Sequence, residues 1–148
     1  MCWVNIQKIT YSARIWDFGD DEGNYIFFAA SLENTGIPGF EGRILSGTKE
    51  RISLAQAIPL NNWIHTAVTF NKSHVSIYIN WLLVASKSCE VSPASFRKAT
   101  RNWIGRSQYW FHVTFVARIV DFRFYERGLT AGELLEISKC NYKLFDMH

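Results

Sequence analysis

Apolar and polar residues alternate with a period of two along most of this chain. Val75-Ser76-Ile77-Tyr78-Ile79-Asn80 puts Val75, Ile77 and Ile79 on one side of an extended strand, the pattern required of a strand with one buried face. Arg118-Ile119-Val120-Asp121-Phe122-Arg123-Phe124-Tyr125 alternates as well. It predicts Val120, Phe122 and Phe124 on a core face, with Asp121 and Arg123 facing away as a cross-strand ion pair or hydrogen-bond ladder. Short runs rich in β-branched and aromatic residues predict further strands at 3–9, 13–18, 25–30, 42–45, 51–54, 64–70, 82–86 and 102–105. Turn-forming stretches separate them: Gly19-Asp20-Asp21-Glu22-Gly23-Asn24, Asn34-Thr35-Gly36, Asn61-Asn62 and Asn71-Lys72-Ser73. Many short strands at this spacing predict an all-β fold, a β-sandwich or a barrel.

One segment breaks the period. Thr130-Ala131-Gly132-Glu133 has capping-box spacing and precedes Leu134-Leu135-Glu136-Ile137, where Leu134 and Ile137 stand three apart. A short C-terminal helix over about 131–139 is expected, lidding one end or edge of the sandwich.

Composition narrows the class. The chain has 148 residues, a formal net charge of +3 and 16% aromatic residues. That length predicts a single domain, residues 1–148, able to bury a core without a disulfide framework or a metal. No apolar run reaches the roughly 18 residues of a membrane span. A mild positive charge spread along the chain is no nucleic-acid signature. Met1-Cys2-Trp3-Val4 lacks the ordered regions of a signal peptide, so the compartment stays open. Cys2, Cys89 and Cys140 are odd in number and form no CxxC pair, which argues against a zinc or redox motif. They read as buried thiols, with one disulfide and a free thiol as the alternative.

Five segments, in order, carry a family resemblance. They are Arg14-Ile15-Trp16-Asp17-Phe18-Gly19, Leu60-Asn61-Asn62-Trp63-Ile64-His65-Thr66-Ala67-Val68-Thr69, Ser76-Ile77-Tyr78-Ile79-Asn80, Asn102-Trp103-Ile104-Gly105-Arg106-Ser107, and Ile119 through Glu133. Together they resemble the laminin-G-like, concanavalin A-like jelly rolls of the pentraxin and lectin/glucanase kind. The resemblance implies an antiparallel two-sheet β-sandwich, a jelly roll, and glycan or protein binding, often with Ca²⁺. Trp63 is then expected in the core, and His65 as a hydrogen-bonded structural residue near a sheet edge.

The chain departs from the family pattern in three places. Trp81 stands where the family has the glycine of an Asn-Gly hairpin, a position needing positive φ. That turn is expected to differ, or Trp81 to project into a contact. Ala117-Arg118 replaces a usual glycine. The chain also starts where family members already have a strand or two, which predicts an open sheet edge and groove. The tail, residues 140–148, or a strand donated by a partner would cover it.

Calcium takes several oxygen ligands. Asp20, Asp21 and Asn24 in the acidic turn are the candidates, against the simpler reading of a solvated hairpin turn; no cofactor is required. Sugar sites use aromatic platforms, here Trp81, Tyr109 and Trp110. Arg106, with Arg97-Lys98-Ala99-Thr100-Arg101, forms a basic group suited to anionic partners. The paired strand carboxylates of a glucanase are missing: Glu33, Glu41, Glu50 and Glu90 fall near predicted loops. The expected function is non-catalytic recognition of a carbohydrate or protein ligand through loop aromatics and the open edge. The alternative is a structural subunit of a larger assembly, such as a viral or cell-surface shell, completed by a neighbour's strand.

Overall fold

The computed structural model describes residues 1–45, 47–96 and 99–142, the last three by backbone alone. Among the described residues ten strands form two antiparallel sheets. They are β1 (Cys2–Lys8), β2 (Arg14–Asp21), β3 (Asn24–Ala29), β4 (Gly39–Arg43), β5 (Glu50–Ser53), β6 (Trp63–Asn71), β7 (His74–Ile79), β8 (Leu82–Ser88), β9 (Arg101–Ile104) and β10 (Val116–Val120). The first sheet runs β10-β1-β6-β7-β8 and the second β5-β4-β3-β2-β9. Between them lies one core that includes Val4, Ile6, Ile15, Ile26, Phe28, Phe40, Ile64, Val75 and Ile77. The predicted sandwich is therefore the fold, and Val75, Ile77 and Ile79 face its core as their alternation requires.

The C-terminal pattern reads differently in three dimensions. β10 stops at Val120 because Asp121 turns left-handed (φ 53). Ala117 and Ile119, not Val120, face the core, opposite Ile6 and Val4 of β1. The turn at Asp121 shifts the phase, so Phe122 still reaches the core edge while Phe124 is left exposed. Asp121 and Arg123 pair with each other across this turn (2.6 Å). Beside this segment, Met1 and Arg123 exchange backbone hydrogen bonds of 2.8 Å, extending the β1–β10 pairing. The neighbour of the C-terminal strand is thus the chain's own β1, and β10 is the sheet edge.

The helix α1 (Ala131–Tyr142) begins with the expected reciprocal cap. The Glu133 N–H donates to Thr130 Oγ1 and the Thr130 N–H donates to Glu133 Oε2. It lies on a face rather than at an end: Leu134 packs with Ala67, Leu129, Tyr78 and Trp81 on the outer side of the first sheet.

The same face resolves the Trp81 question. Ile79 pairs with Leu82 across a two-residue turn in which both Asn80 (φ 45) and Trp81 (φ 68) are left-handed. The turn keeps the family geometry at a cost of roughly 1–2 kcal/mol for a non-glycine residue. Trp81 offsets it by stacking on His65 (centroids 6.1 Å) and meeting Trp3 edge-on (6.2 Å). His65 sits on β6, the central strand, not near an edge, and is 1% exposed. Neither ring nitrogen has a hydrogen-bond partner among the described residues, because aromatic rings surround it. Burial lowers its pKa to about 4, so it is neutral at pH 7. Trp63 is half-buried on the outer face, since its neighbour Ile64 takes the core side.

Cys2 and Cys89 are buried free thiols. The side chain of Cys140, and with it the tail expected to close the groove, lies outside the described residues.

Candidate functional site

The outer face of the second sheet is the unusual one. β3 reads Asn-Tyr-Ile-Phe-Phe-Ala with nearly every position buried. Ile26 and Phe28 enter the main core, whereas Tyr25, Phe27 and Ala29 form a second cluster on the opposite side with Leu32 and Tyr109. A strand apolar on both faces must be covered on both. What covers this face is the loop between β9 and β10.

Strand register lines up one row across the face: Trp103, Asp17, Phe27, Glu41 and Arg51, one from each strand. Glu41 lies at the centre of β4, not in a loop, and is 2% exposed. Its Oε1 accepts the Tyr25 hydroxyl proton (2.7 Å) and its Oε2 accepts from Arg51 Nε (2.7 Å). Burial alone would raise the Glu41 pKa; the bonds from Tyr25 and Arg51 outweigh it and hold the carboxylate ionised. Arg51 also donates to Glu33 (3.1 Å), and the Lys49 ammonium lies 3.7 Å from Glu41.

Arg14 and Asp17 are buried beside this network. The Arg14 guanidinium lies over the Phe27 ring, 3.1 Å from its centroid, with its Nε 3.6 Å from Asp17 Oδ2. Asp17 Oδ2 accepts the Gln108 backbone N–H (3.0 Å), which ties the covering loop to the floor. Burial pushes the Asp17 pKa up to about 6, against the pull of Gln108 and Arg14, and burial lowers that of Arg14 to about 10.

The loop is built locally. Gly105 turns left-handed (φ 72), and the Phe115 N–H returns to its carbonyl (3.1 Å), closing the base. Ser107 Oγ and His112 Nδ1 hydrogen-bond at 2.9 Å, and Tyr109 stacks on His112 (4.9 Å). Burial, then Arg14, lower the His112 pKa to about 4. At the tip Trp110 is 85% exposed, with Phe111 and Val113 also open to solvent. Arg106 rests its guanidinium 4.5 Å from the Trp103 ring. Under the loop opens a cavity of about 170 Å³, lined by Tyr11, Arg14, Glu41, Lys49, Tyr109 and His112 among others.

Sequence reading therefore reaches the loop and misses the floor. Tyr109 and Trp110 both pack on Phe111 in the loop, and Tyr109 lines the cavity, whereas Arg106 lies over Trp103 on β9 and is not part of its lining. Trp81 lies on the opposite face of the sandwich. Asp21, Asp20 and Asn24 serve three separate backbone segments. Asp21 Oδ1 accepts from the Gly23 and Asn24 N–H groups, Asp20 Oδ1 accepts from Thr100, and Asn24 Oδ1 accepts from Leu45. Among the described residues no group of three or more His, Cys, Asp or Glu is placed to hold a metal. Arg97 and Lys98 lie outside the described residues. Arg14, Asp17, Glu41 and Arg51 carry a signal that alternation alone does not give: charged residues on strands sharing a sheet with β3, whose Tyr25 to Ala29 are buried on both faces.

Residues 1–135 match the family model of the concanavalin A-like lectin/glucanases superfamily. The chain belongs to that superfamily. No curated protein sequence matches this concanavalin A-like chain. Solved structures share its fold. A heptameric SAP-like pentraxin of Limulus polyphemus aligns over 95% of this chain and 69% of its own, at 14% identity and TM-score 0.67. The CBM40 domain of the Ruminococcus gnavus IT-sialidase, solved bound to α2,3-sialyllactose, aligns over 92% and 79%, at 14% identity and TM-score 0.69. A Bacteroides ovatus protein described as carbohydrate-binding aligns over 91% of this chain, at 18% identity and TM-score 0.67; the chain spans 38% of its length.

Burial of titratable groups makes stability pH-dependent. His65 and His112 titrate near 4 when folded and near 6.5 when unfolded. Between those values the unfolded chain binds protons that the folded chain refuses, so stability falls as pH falls, by up to about 1.4 kcal/mol per pH unit for the buried His65 and by less for the half-buried, partly screened His112. Asp17 works the other way: its raised pKa gives stability back as pH drops from about 6. Two losses against one gain leave a net fall. Melting temperatures measured from pH 7 down to pH 4.5 are expected to decline, steeply at first; a flat or rising series would contradict the buried neutral histidines.

Proposed function

We propose that this domain is a non-catalytic glycan-binding module whose site is the outer face of the second sheet beneath the loop at residues 106–114. The observation that carries the reading is the exposed aromatic tip, in which Trp110 packs edge-on against Phe111, and Phe111 with Tyr109 lines a cavity floored by buried charged groups. An exposed tryptophan gives a sugar ring an apolar platform, and a few placed polar groups select the hydroxyls. The glycan bound to the CBM40 domain and the description of the Bacteroides protein support the ligand class. The two strand carboxylates of the site are each held by cations and hydrogen bonds, an arrangement suited to rigidity rather than to proton transfer.

Trp110→Ala tests this. The side chain is almost fully exposed, so the melting temperature should hold within about a degree, since surface changes rarely exceed 0.5 kcal/mol. Glycan-array binding should fall at least tenfold. A wild-type protein that binds no glycan, or a variant that binds as well as wild type, would overturn the reading.

The other reading, an assembly subunit completed by a partner's strand, has one observation in its favour. An apolar groove of about 330 Å³, lined by Phe18, Phe70, Phe122, Phe124 and Leu129 among others, opens at one end between the sheets.

A further inference from the structure

The floor of the site holds one cation whose donors are not used. Arg14 is 4% exposed, yet among the described residues its guanidinium makes no hydrogen bond. Its nearest carboxylate is Asp17, 3.6 Å from Nε, with Glu41 a more distant charge, and that same Asp17 oxygen already accepts the Gln108 N–H. A guanidinium carries five donors, and burying them unpaired costs free energy that native interiors seldom leave uncompensated. Nε is enclosed by protein, so Arg14 meets the cavity through the outer end of its fork. The other cations on the wall are differently placed: Arg51 is bound to both Glu41 and Glu33, and Lys49 stands half-exposed at the rim. Phe27 fixes the plane of the Arg14 fork from below, and Tyr109 and Phe111 supply ring faces at the mouth.

We propose that this cavity takes an acidic saccharide, with the ligand's anionic group on the Arg14 fork, its ring against Tyr109 and Phe111, and Lys49 at the rim. This rests on the reading of the face as a glycan site and adds the ligand class. A planar fork pairs with a carboxylate or a sulfate through two parallel N–H···O bonds. Inside a desolvated pocket such a pair is screened far less by salt than a surface contact is. A neutral sugar in the same place would leave the donors of Arg14 unanswered, and sites built around buried donors reject ligands that lack the partner by large factors.

The test is an array of matched glycan pairs that differ only in the acidic group: lactose and sialyllactose, glucose- and glucuronate-terminated chains, and sulfated counterparts. The wild-type protein should bind the acidic member at least tenfold more tightly, with the preference largely kept at 0.5 M salt. Arg14→Met should abolish the preference, and Arg14→Lys, which keeps the charge without the fork, should retain only part of it. If the single variant fails to fold, Arg14→Met/Asp17→Asn removes both buried charges together and should fold without the preference. Equal binding of neutral and acidic members, or a preference that survives the loss of Arg14, overturns this inference while Trp110-dependent binding to glycans leaves the broader function standing. Binding to no glycan overturns both. Preference for sulfated over carboxylated members would assign the anion as sulfate; the reverse would assign a carboxylate.

Discussion

Glu41→Ala is expected to destabilise the fold by about 3–5 kcal/mol, the range found when one partner of a buried ion pair is removed. Three groups lose their acceptor at once. The Tyr25 hydroxyl, buried in the second cluster, loses its 2.7 Å bond; Arg51 loses its buried carboxylate and keeps only the exposed Glu33; Lys49 loses its nearest anion. The cavity left in the middle of β4 adds to the cost, because neighbours at full packing relax only in part. Glu41→Gln keeps the acceptor for Tyr25 and nearly the same volume, so it should cost less than half as much. Urea unfolding of the three proteins at pH 7 reads this directly. A loss under about 1 kcal/mol for the alanine variant would mean that the row across the sheet is not the rigid floor described here.

Asp17→Ala should cost about 3 kcal/mol and free the loop. It strips Arg14 of its ion-pair partner in a buried place, leaving only the more distant Glu41 charge, and it removes the acceptor that holds the Gln108 N–H. Two measurements separate the effects. Hydrogen exchange at Gln108 and Phe115 should accelerate in Asp17→Ala, whereas Asp17→Asn, which keeps an acceptor oxygen, should protect both amides. The stability gap between Asp17→Asn and wild type should be steady above about pH 7 and shift progressively from about pH 6 to about pH 4, where the folded wild-type carboxyl is protonated and the unfolded one is not. A gap independent of pH would show that Asp17 does not titrate in this range. Unchanged exchange in Asp17→Ala would show that the loop stands on its internal bonds, the Ser107–His112 pair and the closure at Gly105.

Two elements show how far the chain is legible before it folds. The capping box at Thr130 and Glu133 is complete within four residues, so the helix start is readable; the face on which the helix lies is not, because Ala67, Tyr78 and Trp81 are remote in the chain. At Trp81, backbone sterics predict a conflict with a left-handed turn. The conflict is real, and the turn persists because Trp3 and His65, brought beside it by strand pairing, hold the ring. In the site, Tyr109 and Trp110 stand out as an aromatic loop in any reading of the sequence. Arg14 and Asp17 read as pieces of a strand motif and Glu41 as a scattered acid, since nothing local says that they share one sheet face.

By itself the sequence determined the elements of this protein: the period-two strands, the turns between them, the capped helix, the loop with the aromatic tip and the superfamily. Each depends on neighbours within a few residues or on an ordered set of short motifs, and local sterics and burial patterns are enough to set it. Only the tertiary structure decided the rest. Register across five strands put Asp17, Phe27, Glu41 and Arg51 in one row, the loop closed over them, and burial then changed what those charges are. An arginine on a solvated strand is an ordinary cation; the same residue enclosed at the floor of a cavity, with its hydrogen bonds unmade, is a site.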